Sequence, residues 1–590
     1  MCGIFGYIGN QDAAKIVATG LKRLEYRGYD SWGIAVVDGD IQISKKVGAI
    51  GDLDQEIDLP KAAISIGHTR WATHGGVSEN NAHPHYSTDK SFALAQNGIV
   101  ENYTELKSDL VKKGYKFITE TDTEVIVRLI EDKLKLTKDL KGAVQKAFLE
   151  LEGRNTIILI SKAGQIIACR NGSPLVIGKN FATGEIYISS DTLSFAPFAR
   201  DMLVVSNGQM VQIKDQNISM FDLISGQATK LVFEKVGFES EKIDKEGFEH
   251  FMLKEIYESP FVIEQLIDQP QKIYEDFAEV IKSSGSVYTI GSGTIGVAAA
   301  QIAFYLRSIG KIKAVSLIGA DAVEYLSLFK KNDLIIAPSQ SGETADVLEV
   351  LEKAKKLGVK IASIVNMPGS SMTRISDYQF RMQAGPEICV MSTKAFTSPI
   401  SWGYLISKTV AGEYKDGIKN LKSLSIEMDK WLKNSSSHQE VKSLAKDLAK
   451  VKDIFLLGKY QNFQIIKEGM VKLIEGTYKH AHALPAGDLK HYVITLIEKG
   501  VPVVAAVSED EVKPDLLNAI HQVKARGAKV IAIAPKPQPD YDTFIKVPDC
   551  GQTSAIMNVI PLQLLAYYMA VELGNNVDKP RNIAKSVTVK

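Results

Sequence analysis

The sequence predicts a mixed fold class, in which an α+β segment is followed by α/β subdomains built on parallel sheets. Three observations predict it. Residues 1 to about 235 are mainly short β runs broken by Gly, Asn and Asp; from about Ser286 apolar strands alternate with helical stretches; and this second region repeats itself. A chain of 590 residues is too long for one hydrophobic core, so we expect several domains.

In the first region, runs such as FALAQNGIVEN and MLVVSNGQMVQI are typical of hairpin strands. Apolar residues at helical spacing predict amphipathic helices near Asp12 to Leu24 and Thr123 to Leu136. The stretch KVGFESEKIDKEGFEHFMLKEIYE is charged at first and then helical, and we interpret it as a linker. We therefore expect an N-terminal domain over 1–235 and a linker over 236–255.

The second region contains an internal duplication. VLEVLEKAKKLGVKIASIV resembles LLNAIHQVKARGAKVIAIA, and SVYTIGSG resembles DIFLLGKY, each at an offset of roughly 168 residues. The repeat predicts two sister α/β subdomains, a helical connector between them and a short tail. Their expected bounds are 256–415, 416–450, 451–575 and 576–590.

Composition excludes several classes of function. Seventy Lys and Arg balance 69 Asp and Glu, and no basic block is present, so we expect no nucleic-acid partner. We find no secretory signal and no apolar run long enough to cross a bilayer, which predicts a cytoplasmic protein without a membrane partner. The four cysteines form no CxxC pair, which argues against both a disulfide framework and a zinc site.

The chain opens MCGIFGYIGN, with Cys2 directly behind the initiator methionine. Removal of Met1 would give Cys2 a free α-amine whose ordinary pKa, about 7.7 to 8.0, suits a general base for its own thiol. The alternative is a small buried hydrophobe in an N-terminal strand.

Candidate partners for such a nucleophile lie in three short stretches of the first region. GHTRWATHG offers Arg70 to grip a carboxylate, QNGIVEN offers the Asn97 amide and the Gly98 N–H for an oxyanion, and ETDTE offers Asp122 for an ammonium group. Together they fit an amino acid with an acyl-type side chain. Each also has a structural alternative: a surface ion pair, a hairpin turn and a helix N-cap.

In the second region, DLIIAPSQSGETADVLEVL places hydroxyl and amide groups between a strand and a helix. Such a helix N-terminus binds anions, most often phosphate, although a simple N-cap is the alternative. The residues concerned are Ser339, Gln340, Ser341 and Thr344. The nearby GSGTIG resembles a dinucleotide fingerprint only weakly, because no matching acidic residue follows it.

Further on, Lys472, Glu475, His491 and the tail DKPRNIAKSVTVK supply groups that could act on a carbonyl compound, or that could be solvated surface charges. The pairs His83/His85 and His480/His482 have no Cys or carboxylate nearby to complete a metal site. We expect no metal and no cofactor.

The longest motifs of the chain carry a family resemblance. They are MCGIFGYIG, LKRLEYRGYDSWG, HTRWATHG, NAHPH, NGIVENY, ETDTE, GSPLVIG, FMLKEIYE, SQSGETAD, PGSS, STKAFT, IPLQLLAY and DKPRNIAKSVTVK. In that order, and over almost the whole chain, they resemble the glutamine:fructose-6-phosphate aminotransferases (isomerising), also called glucosamine-6-phosphate synthases. The resemblance favours the nucleophile over the structural reading of Cys2.

The resemblance implies an N-terminal-nucleophile glutaminase domain, an αββα-type sandwich, followed by two doubly wound sugar-isomerase subdomains. Cys2 would attack glutamine, Asn97 and Gly98 would form the oxyanion hole, and Trp71 would gate the passage of ammonia through an internal channel. The residues that would hold the amino-acid end of glutamine are Arg70, Thr73, His74 and Asp122.

The resemblance also assigns the sugar site. Ser339, Gln340, Ser341 and Thr344 would bind the phosphate of fructose 6-phosphate, with Thr294 and Ser392 nearby. Lys585 would form an imine with the open-chain ketose, Glu475 would move a proton between its first two carbons, and Lys472 would assist. His491 would open the ring from the neighbouring subunit of a homodimer.

Two departures from the family pattern leave alternatives open. Ile295 stands where the family has a phosphate-contacting serine, and LKHYV replaces LKHGP around His491. An amidotransferase for a different keto-sugar phosphate is therefore the second reading. A sugar-phosphate-binding regulator is the third, and the retention of Cys2, Glu475 and Lys585 disfavours it.

Overall fold

The computed structural model describes residues 2–51, 57–236 and 244–587, so part of the predicted linker, 237–243, lies outside the described residues. The chain forms two compact units. One is Met1–Lys242 with Ser586–Lys590, and the other is Ile243–Lys585.

The first unit is a sandwich of two antiparallel sheets. The strands in chain order are β1 (Gly3–Ile8), β2 (Ser31–Asp38), β3 (Asp40–Val47), β4 (Ile64–Arg70), β5 (His85–Tyr86), β6 (Phe92–Gly98), β7 (Asn155–Ser161), β8 (Gln165–Asn171), β9 (Val176–Lys179), β10 (Ile186–Ser189), β11 (Asp201–Val204), β12 (Gln209–Lys214), β13 (Asn217–Asp222), β14 (Ala228–Thr229) and β15 (Phe233–Lys235). Within the described residues, one sheet has the order β15-β11-β9-β10-β1-β4-β2-β3 and the other β14-β13-β12-β8-β7-β6-β5.

Helices cover the outer face of each sheet. They are α1 (Ala13–Arg23), α2 (Tyr103–Lys112), α3 (Asp122–Thr137) and α4 (Leu140–Leu149). Because side chains alternate along a strand, Ile4 and Ile8 pack between the sheets, whereas Phe5 and Tyr7 pack against α1. The αββα sandwich expected from the family resemblance is confirmed, and α1 and α3 match the two predicted helices.

The second unit contains two α/β subdomains and their connecting helices. Its helices are α5 (Phe251–Tyr257), α6 (Ser259–Ile267), α7 (Gln271–Ser283), α8 (Gly293–Ser308), α9 (Ala345–Lys356), α10 (Ser371–Ile375), α11 (Lys394–Val410), α12 (Tyr414–Lys433), α13 (Ser435–Leu448), α14 (Phe463–Thr477), α15 (Lys513–Lys524) and α16 (Ser554–Glu572). Its strands are β16 (Val287–Gly291), β17 (Ala314–Ile318), β18 (Leu334–Ser339), β19 (Lys360–Val365), β20 (Tyr378–Arg381), β21 (Asp453–Gly458), β22 (His480–Pro485), β23 (Pro502–Ala506), β24 (Lys529–Ala534) and β25 (Thr543–Lys546).

The two subdomains have the same sheet topology. The orders β17-β16-β18-β19-β20 and β22-β21-β23-β24-β25 correspond strand for strand, and every pairing in them is parallel. In doubly wound sheets of this order, ligands bind beyond the carboxyl ends of the first and third strands, where the winding reverses. In the first subdomain these are the loops after β16 and β18.

Helices from both subdomains share one core, which includes Ile302 of α8, Trp402 of α11, Leu473 of α14 and Leu562 of α16. The segment Gly551–Glu572, which contains α16, is long and apolar enough to cross a membrane, contrary to the sequence-based expectation. Of its most apolar window, 89% is buried inside the fold. The segment is therefore the core helix of this unit.

Candidate active sites

Cys2 lies immediately before β1, beside the end of β4. β1 pairs with β4 so that Gly3 faces Thr69, and this register brings Cys2 next to Arg70 and Trp71. The Trp71 N–H donates to the Cys2 Sγ at 3.3 Å, and the thiol contacts the Trp71 carbonyl oxygen at 3.6 Å. Burial raises the pKa of the Cys2 thiol, although the Arg70 charge opposes this. The resting sulfur is therefore a neutral thiol that needs a base.

The predicted oxyanion residues end strand β6. The buried Asn97 Nδ2 donates to the Ser190 Oγ at 2.8 Å, and the same oxygen accepts the Ile4 N–H at 2.8 Å. An amide group has two N–H donors, so one remains for a ligand. Gly98 has a φ of 126°, and a Cβ there would collide with the Arg154 carbonyl oxygen. Only glycine fits this position without strain.

Arg70 ends β4 and is almost fully buried. Its guanidinium donates to the carbonyl oxygens of His74 at 2.5 Å, Gly75 at 3.2 Å and Gly76 at 3.1 Å. These bonds use three of the five guanidinium N–H donors, and the others remain for a carboxylate. The same loop leaves Thr73 exposed.

Aromatic contacts support this loop. The Trp71 ring packs edge-on against Tyr29 with centroids 5.8 Å apart, and the His74 ring does the same against Tyr103 at 4.8 Å. The Ala72 N–H donates to Asp30 Oδ2 at 2.9 Å. The loop that carries three predicted glutamine ligands is thus held at both ends.

Asp122 is the first residue of α3, and Thr121 is the N-cap. Its Oδ2 accepts the Val100 N–H at 2.8 Å. Burial raises the pKa of this carboxyl, whereas the Val100 N–H and the charge of His74 lower it. Cys2 and Asp122 interact electrostatically, so the structure brings the predicted nucleophile and the predicted ammonium ligand into one site.

The second candidate site begins at the loop after β18, with Thr344 as the N-cap of α9. The Ser339 Oγ accepts the Gly342 N–H at 2.8 Å, and the Ser341 Oγ accepts the Glu343 N–H at 3.2 Å. Gly342 has a φ of 67° and would meet Ser370 if it carried a Cβ. The loop is thus wound tightly, with its hydroxyls at the N-terminus of α9, as the sequence predicts.

The loop after β16 leads into α8, with Ser292 as its N-cap. The Thr294 hydroxyl reaches across to the second subdomain and donates to Glu468 Oε1 at 3.4 Å. Ile295 packs against the shared core. The position where the family has a serine hydroxyl therefore presents a hydrocarbon side chain.

Helix α14 carries a buried charge cluster that lies beside Thr294. The Lys472 Nζ lies 2.5 Å from Glu475 Oε2 and 3.5 Å from Glu468 Oε1. Burial raises the pKa of Glu468 to about 8. Burial alone would lower the pKa of Lys472, but Glu468 and Glu475 together raise it above its ordinary value. At neutral pH the cluster therefore holds a fixed ammonium beside Glu475.

Lys585 is buried, although it lies close to the end of the chain. Its side chain is 2% exposed, and its Nζ makes an ion pair with Glu387 Oε2. The same nitrogen donates to the Cys389 carbonyl oxygen at 2.6 Å and to the Ser392 Oγ at 3.1 Å. The tail is thus anchored in the second unit, and Lys585 and Ser392 meet directly.

Two links connect Lys585 to the other groups of this unit. Met391, next to Ser392, packs against Gly476, which follows Glu475 in α14. Asn366 bridges the serine loop to the Glu387 segment, because its N–H donates to the Ser339 carbonyl oxygen at 3.2 Å and its Nδ2 donates to the Gly385 carbonyl oxygen at 2.7 Å. Among the described residues, the hydrogen-bond partners of the Lys585 Nζ are Glu387, Cys389 and Ser392, none of which belongs to the serine loop.

The remaining predicted residues stand apart. His491 is exposed at the end of the 3-10 turn Ala486–His491, and in the part of the chain that the structure describes its ring makes no hydrogen bond or ion pair with Lys472, Glu475 or Lys585. The buried His83 and His85 rings lie beside Thr123 and Thr121, at 3.0 and 3.1 Å. Across the described ranges, no group of His, Cys, Asp and Glu is arranged to hold a metal ion.

Sequence reasoning missed several groups that the fold brings to these sites. Ser190 supports Asn97, and Glu468 lies against Lys472. Glu387 pairs with Lys585, and Glu255 accepts the N–H of Cys389, whose carbonyl oxygen contacts Lys585. Glu468 is four residues before Lys472 on one helix face, and this spacing could have indicated it. The other three have no local signal.

Comparison with known proteins matches both units. The glutamine amidotransferase domain family matches residues 54–149, and the SIS domain family matches 280–407 and 447–573, which confirms the duplication. The chain is 37% identical to the glutamine–fructose-6-phosphate aminotransferase (isomerizing) of Caldanaerobacter subterraneus subsp. tengcongensis and 38% identical to that of Fusobacterium nucleatum, over the whole length of both chains in each case.

Among solved structures, the C-terminal domain of glucosamine-fructose-6-phosphate aminotransferase from Francisella tularensis is similar to the second unit. It matches with a TM-score of 0.52 and 30% sequence identity, and it covers 57% of this chain and 100% of that one.

Proposed function

The chain belongs to the family of glutamine–fructose-6-phosphate aminotransferases (isomerizing), and from that premise we propose that it converts glutamine and fructose 6-phosphate to glutamate and glucosamine 6-phosphate. The observation that carries the proposal is the pairing of two chemistries in one chain. A thiol stands beside carboxylate- and ammonium-binding groups in one unit, and a buried lysine lies near an acid–base pair in the other.

In the first unit, Cys2 attacks the side-chain amide of glutamine. Because its thiol is neutral at rest, a base must take the proton, and the α-amine released by removal of Met1 is the proposed base. The free N–H of Asn97 and the N–H of Gly98 stabilise the oxyanion. Arg70 and Asp122 hold the carboxylate and the ammonium of the amino-acid end, with Thr73 and His74 beside them and Trp71 controlling the release of ammonia.

In the second unit, the serine loop binds the sugar phosphate. Ser339, Gln340, Ser341 and Thr344 offer hydroxyl, amide and backbone N–H groups at the N-terminus of α9, where the helix dipole favours an anion. Thr294 and Ser392 complete the lining of the site. These contacts hold the ketose by the end that does not react.

Lys585 forms an imine with the open-chain ketose, and Glu475 moves a proton between its first two carbons. The Lys472 ammonium lies 2.5 Å from Glu475 Oε2 and holds this carboxyl group in position for the transfer. We propose that His491 opens the ring from a second copy of the chain in a homodimer, because it lies outside the cluster of its own chain. Ammonia from the first unit is the nitrogen donor for this reaction.

One observation favours a second candidate function, the amination of a different ketose phosphate. Ile295 presents hydrocarbon where the family places a phosphate-binding hydroxyl, which favours a related ketose phosphate as an alternative substrate. The regulator reading is weaker, because pure binding needs neither the Lys472–Glu475 pair nor a buried Lys585. We place the enzyme in the cytoplasm, with glutaminase chemistry in 1–235 and sugar chemistry in 256–585.

The proposal is tested by product analysis of purified protein with glutamine and a panel of ketose phosphates. Glucosamine 6-phosphate formed only from fructose 6-phosphate supports it, and a different amino sugar supports the alternative. Intact mass should show loss of Met1. Cys2→Ala should abolish glutamine hydrolysis while any amination by added ammonium continues. An active preparation that retains Met1 would exclude the α-amine as base.

A further inference from the structure

The Lys585 amine is held as a fully satisfied ammonium. Its three N–H donors meet three acceptors, namely Glu387 Oε2, the Cys389 carbonyl oxygen and the Ser392 Oγ. In this state the nitrogen has no lone pair to attack a carbonyl group. A nucleophilic Lys585 must first give up one proton.

Few groups can receive that proton. The side chains of Lys585 and Glu387 are 2% and 0% exposed, so bulk water has little access to the ion pair. A backbone carbonyl and a serine hydroxyl are far too weakly basic to hold a proton at neutral pH. Glu387 is the only carboxylate in direct contact with this nitrogen among the described residues.

The position of Glu387 is fixed by the backbone of α11. Its Oε1 accepts the Thr393 N–H at 2.9 Å and the Ala395 N–H at 3.0 Å, at the positive end of that helix. Its Oε2 is thereby directed at Lys585. One oxygen of the carboxylate thus binds the start of α11, and the other binds the Lys585 amine.

We propose that Glu387 is a catalytic residue that takes the ammonium proton from Lys585 and returns it during imine formation. The inference rests on the proposed function, because it assigns a partner to the imine-forming lysine. Glu387 is absent from the site residues expected from the sequence.

Imine formation at Lys585 involves two proton transfers with Glu387. The proton moves from Lys585 Nζ to Glu387 Oε2, and the free amine adds to the ketose carbonyl carbon, so a C–N bond forms as the C=O π bond breaks. The carbonyl oxygen takes a proton from nitrogen, and Glu387 returns its proton to the resulting hydroxyl, which leaves as water. Ammonium and ketone thus become iminium and water, with Glu387 again a carboxylate beside the cation.

Electrostatics agree with this exchange. Burial acts to raise the pKa of Glu387, but the Lys585 charge brings it below its ordinary value. That charge disappears as the proton moves, and burial then favours the neutral acid. The transfer therefore exchanges a buried ion pair for two neutral groups.

A second buried carboxyl in the same cluster does not compete for this role. The Glu255 Oε1 accepts the Ile388 N–H at 2.5 Å and the Cys389 N–H at 3.2 Å. Burial raises the pKa of Glu255 to about 8, so it is protonated at neutral pH. Glu255 supports the segment that holds Lys585 but is not a proton acceptor.

The test is the rate of borohydride trapping of an adduct on Lys585 in the full-length protein with fructose 6-phosphate at pH 7. Glu387→Gln should slow trapping by about 100-fold or more, because no group removes the ammonium proton or protonates the departing hydroxyl. Glu387→Asp keeps a carboxylate, and its trapping rate should lie between the rates of the wild type and of Glu387→Gln. Glu258→Gln removes a carboxylate that pairs with Lys394 in the same region but does not touch Lys585, and it should trap at the wild-type rate.

A trapping rate that is not reduced in Glu387→Gln would contradict the proposal. If Glu387 only stabilises the charge of Lys585, its removal increases the free amine, and Glu387→Gln traps at the wild-type rate or faster. That result overturns the role of Glu387 while the proposed function stands. Absence of any wild-type adduct on Lys585 overturns both. Slower trapping by Glu387→Asp than by Glu387→Gln also contradicts the proposal. Calorimetric measurement of fructose 6-phosphate binding checks that each variant is folded.

Discussion

In the first α/β subdomain, strand β16 ends at Gly291 and is followed by helix α8. Gln301 and Tyr305 of this helix lie ten and fourteen residues after that glycine. In the second subdomain, the same count from Gly458 gives Glu468 and Lys472. All four side chains are buried. Equivalent positions of one repeated architecture therefore hold neutral groups in one copy and a charge cluster in the other.

The loops after the third strands differ in the opposite sense. The first subdomain has Ser339 to Thr344, rich in hydroxyls, whereas the second has Ser508 followed by three acidic residues, 509–511. Glu509 pairs with Lys513 at 2.6 Å, and Asp510 accepts from Gln461 at 2.9 Å. An acidic loop repels a phosphate. Duplication thus supplied two frames of the same topology, of which one is suited to anion binding and the other to acid–base chemistry.

The largest expected effect concerns the acid–base copy. Glu475→Gln should lower the formation of amino sugar by about 10²- to 10⁴-fold, because the amide cannot carry a proton between carbons. The affinity for sugar phosphate and the hydrolysis of glutamine should be unchanged. The loss of proton transfer is measured by the rate of product formation and by the exchange of the C1 hydrogen with solvent.

The matched control is Glu349→Gln on α9, a carboxylate of the first subdomain that pairs with Lys353 at 2.7 Å. It should retain full activity. If Glu475→Gln keeps more than about a tenth of the activity, the division of labour between the copies is wrong.

The next effect concerns the anion-binding copy. Ser341→Ala should weaken the affinity for fructose 6-phosphate by about ten- to a hundred-fold, since a charge-assisted hydrogen bond of about 1.5 to 3 kcal/mol is lost. Ser508→Ala removes the hydroxyl from the corresponding loop of the second subdomain and should leave that affinity unchanged. Calorimetry measures the affinity of both variants for fructose 6-phosphate. An equal loss of affinity in the two variants would show that both loops bind the sugar.

A smaller effect should follow from restoring a hydroxyl to the loop after β16. Ile295→Ser should leave the affinity for fructose 6-phosphate unchanged or improve it by up to about tenfold, because it adds one phosphate ligand. Measuring KM for several ketose phosphates sharpens the result. A selective loss of fructose 6-phosphate binding would mean that Ile295 packs against the sugar itself.

The smallest effect makes the two helices alike. Glu468→Gln gives the second subdomain the residue type that the first has at Gln301. The folded-state pKa of Glu468, about 8, lies above the ordinary value of 4.5, so the unfolded chain loses its proton first as the pH rises. Wild-type stability should therefore decline between pH 4.5 and 8, and the variant should lack this contribution.

Thermal unfolding of both proteins at pH 6 and pH 8.5 measures this difference. The Tm of the wild type should fall by at least about 2 °C more than that of Glu468→Gln over this interval. Parallel pH profiles would show that Glu468 is ionised in the folded protein.

The sequence by itself determined the local structure and the duplication. Short β runs broken by Gly, Asn and Asp predicted the strands of the sandwich, and the helical spacing of Val347, Leu348 and Leu351 predicted α9 behind the serine loop. These features depend on periodicity over a few residues. The motifs around Cys2 and Ser341 are similarly local, and the sequence therefore predicts their residues directly.

Only the tertiary structure decided which distant groups meet. Lys585 is separated from Glu387 by 198 residues, and Asn97 from Ser190 by 93. On composition alone the tail would be a solvated surface segment, but its lysine is buried because the fold supplies three acceptors, one of which is a carboxylate that compensates its charge. Periodicity fixes which face of an element is buried, whereas burial within the tertiary fold raises the pKa of Glu255 and of Glu468.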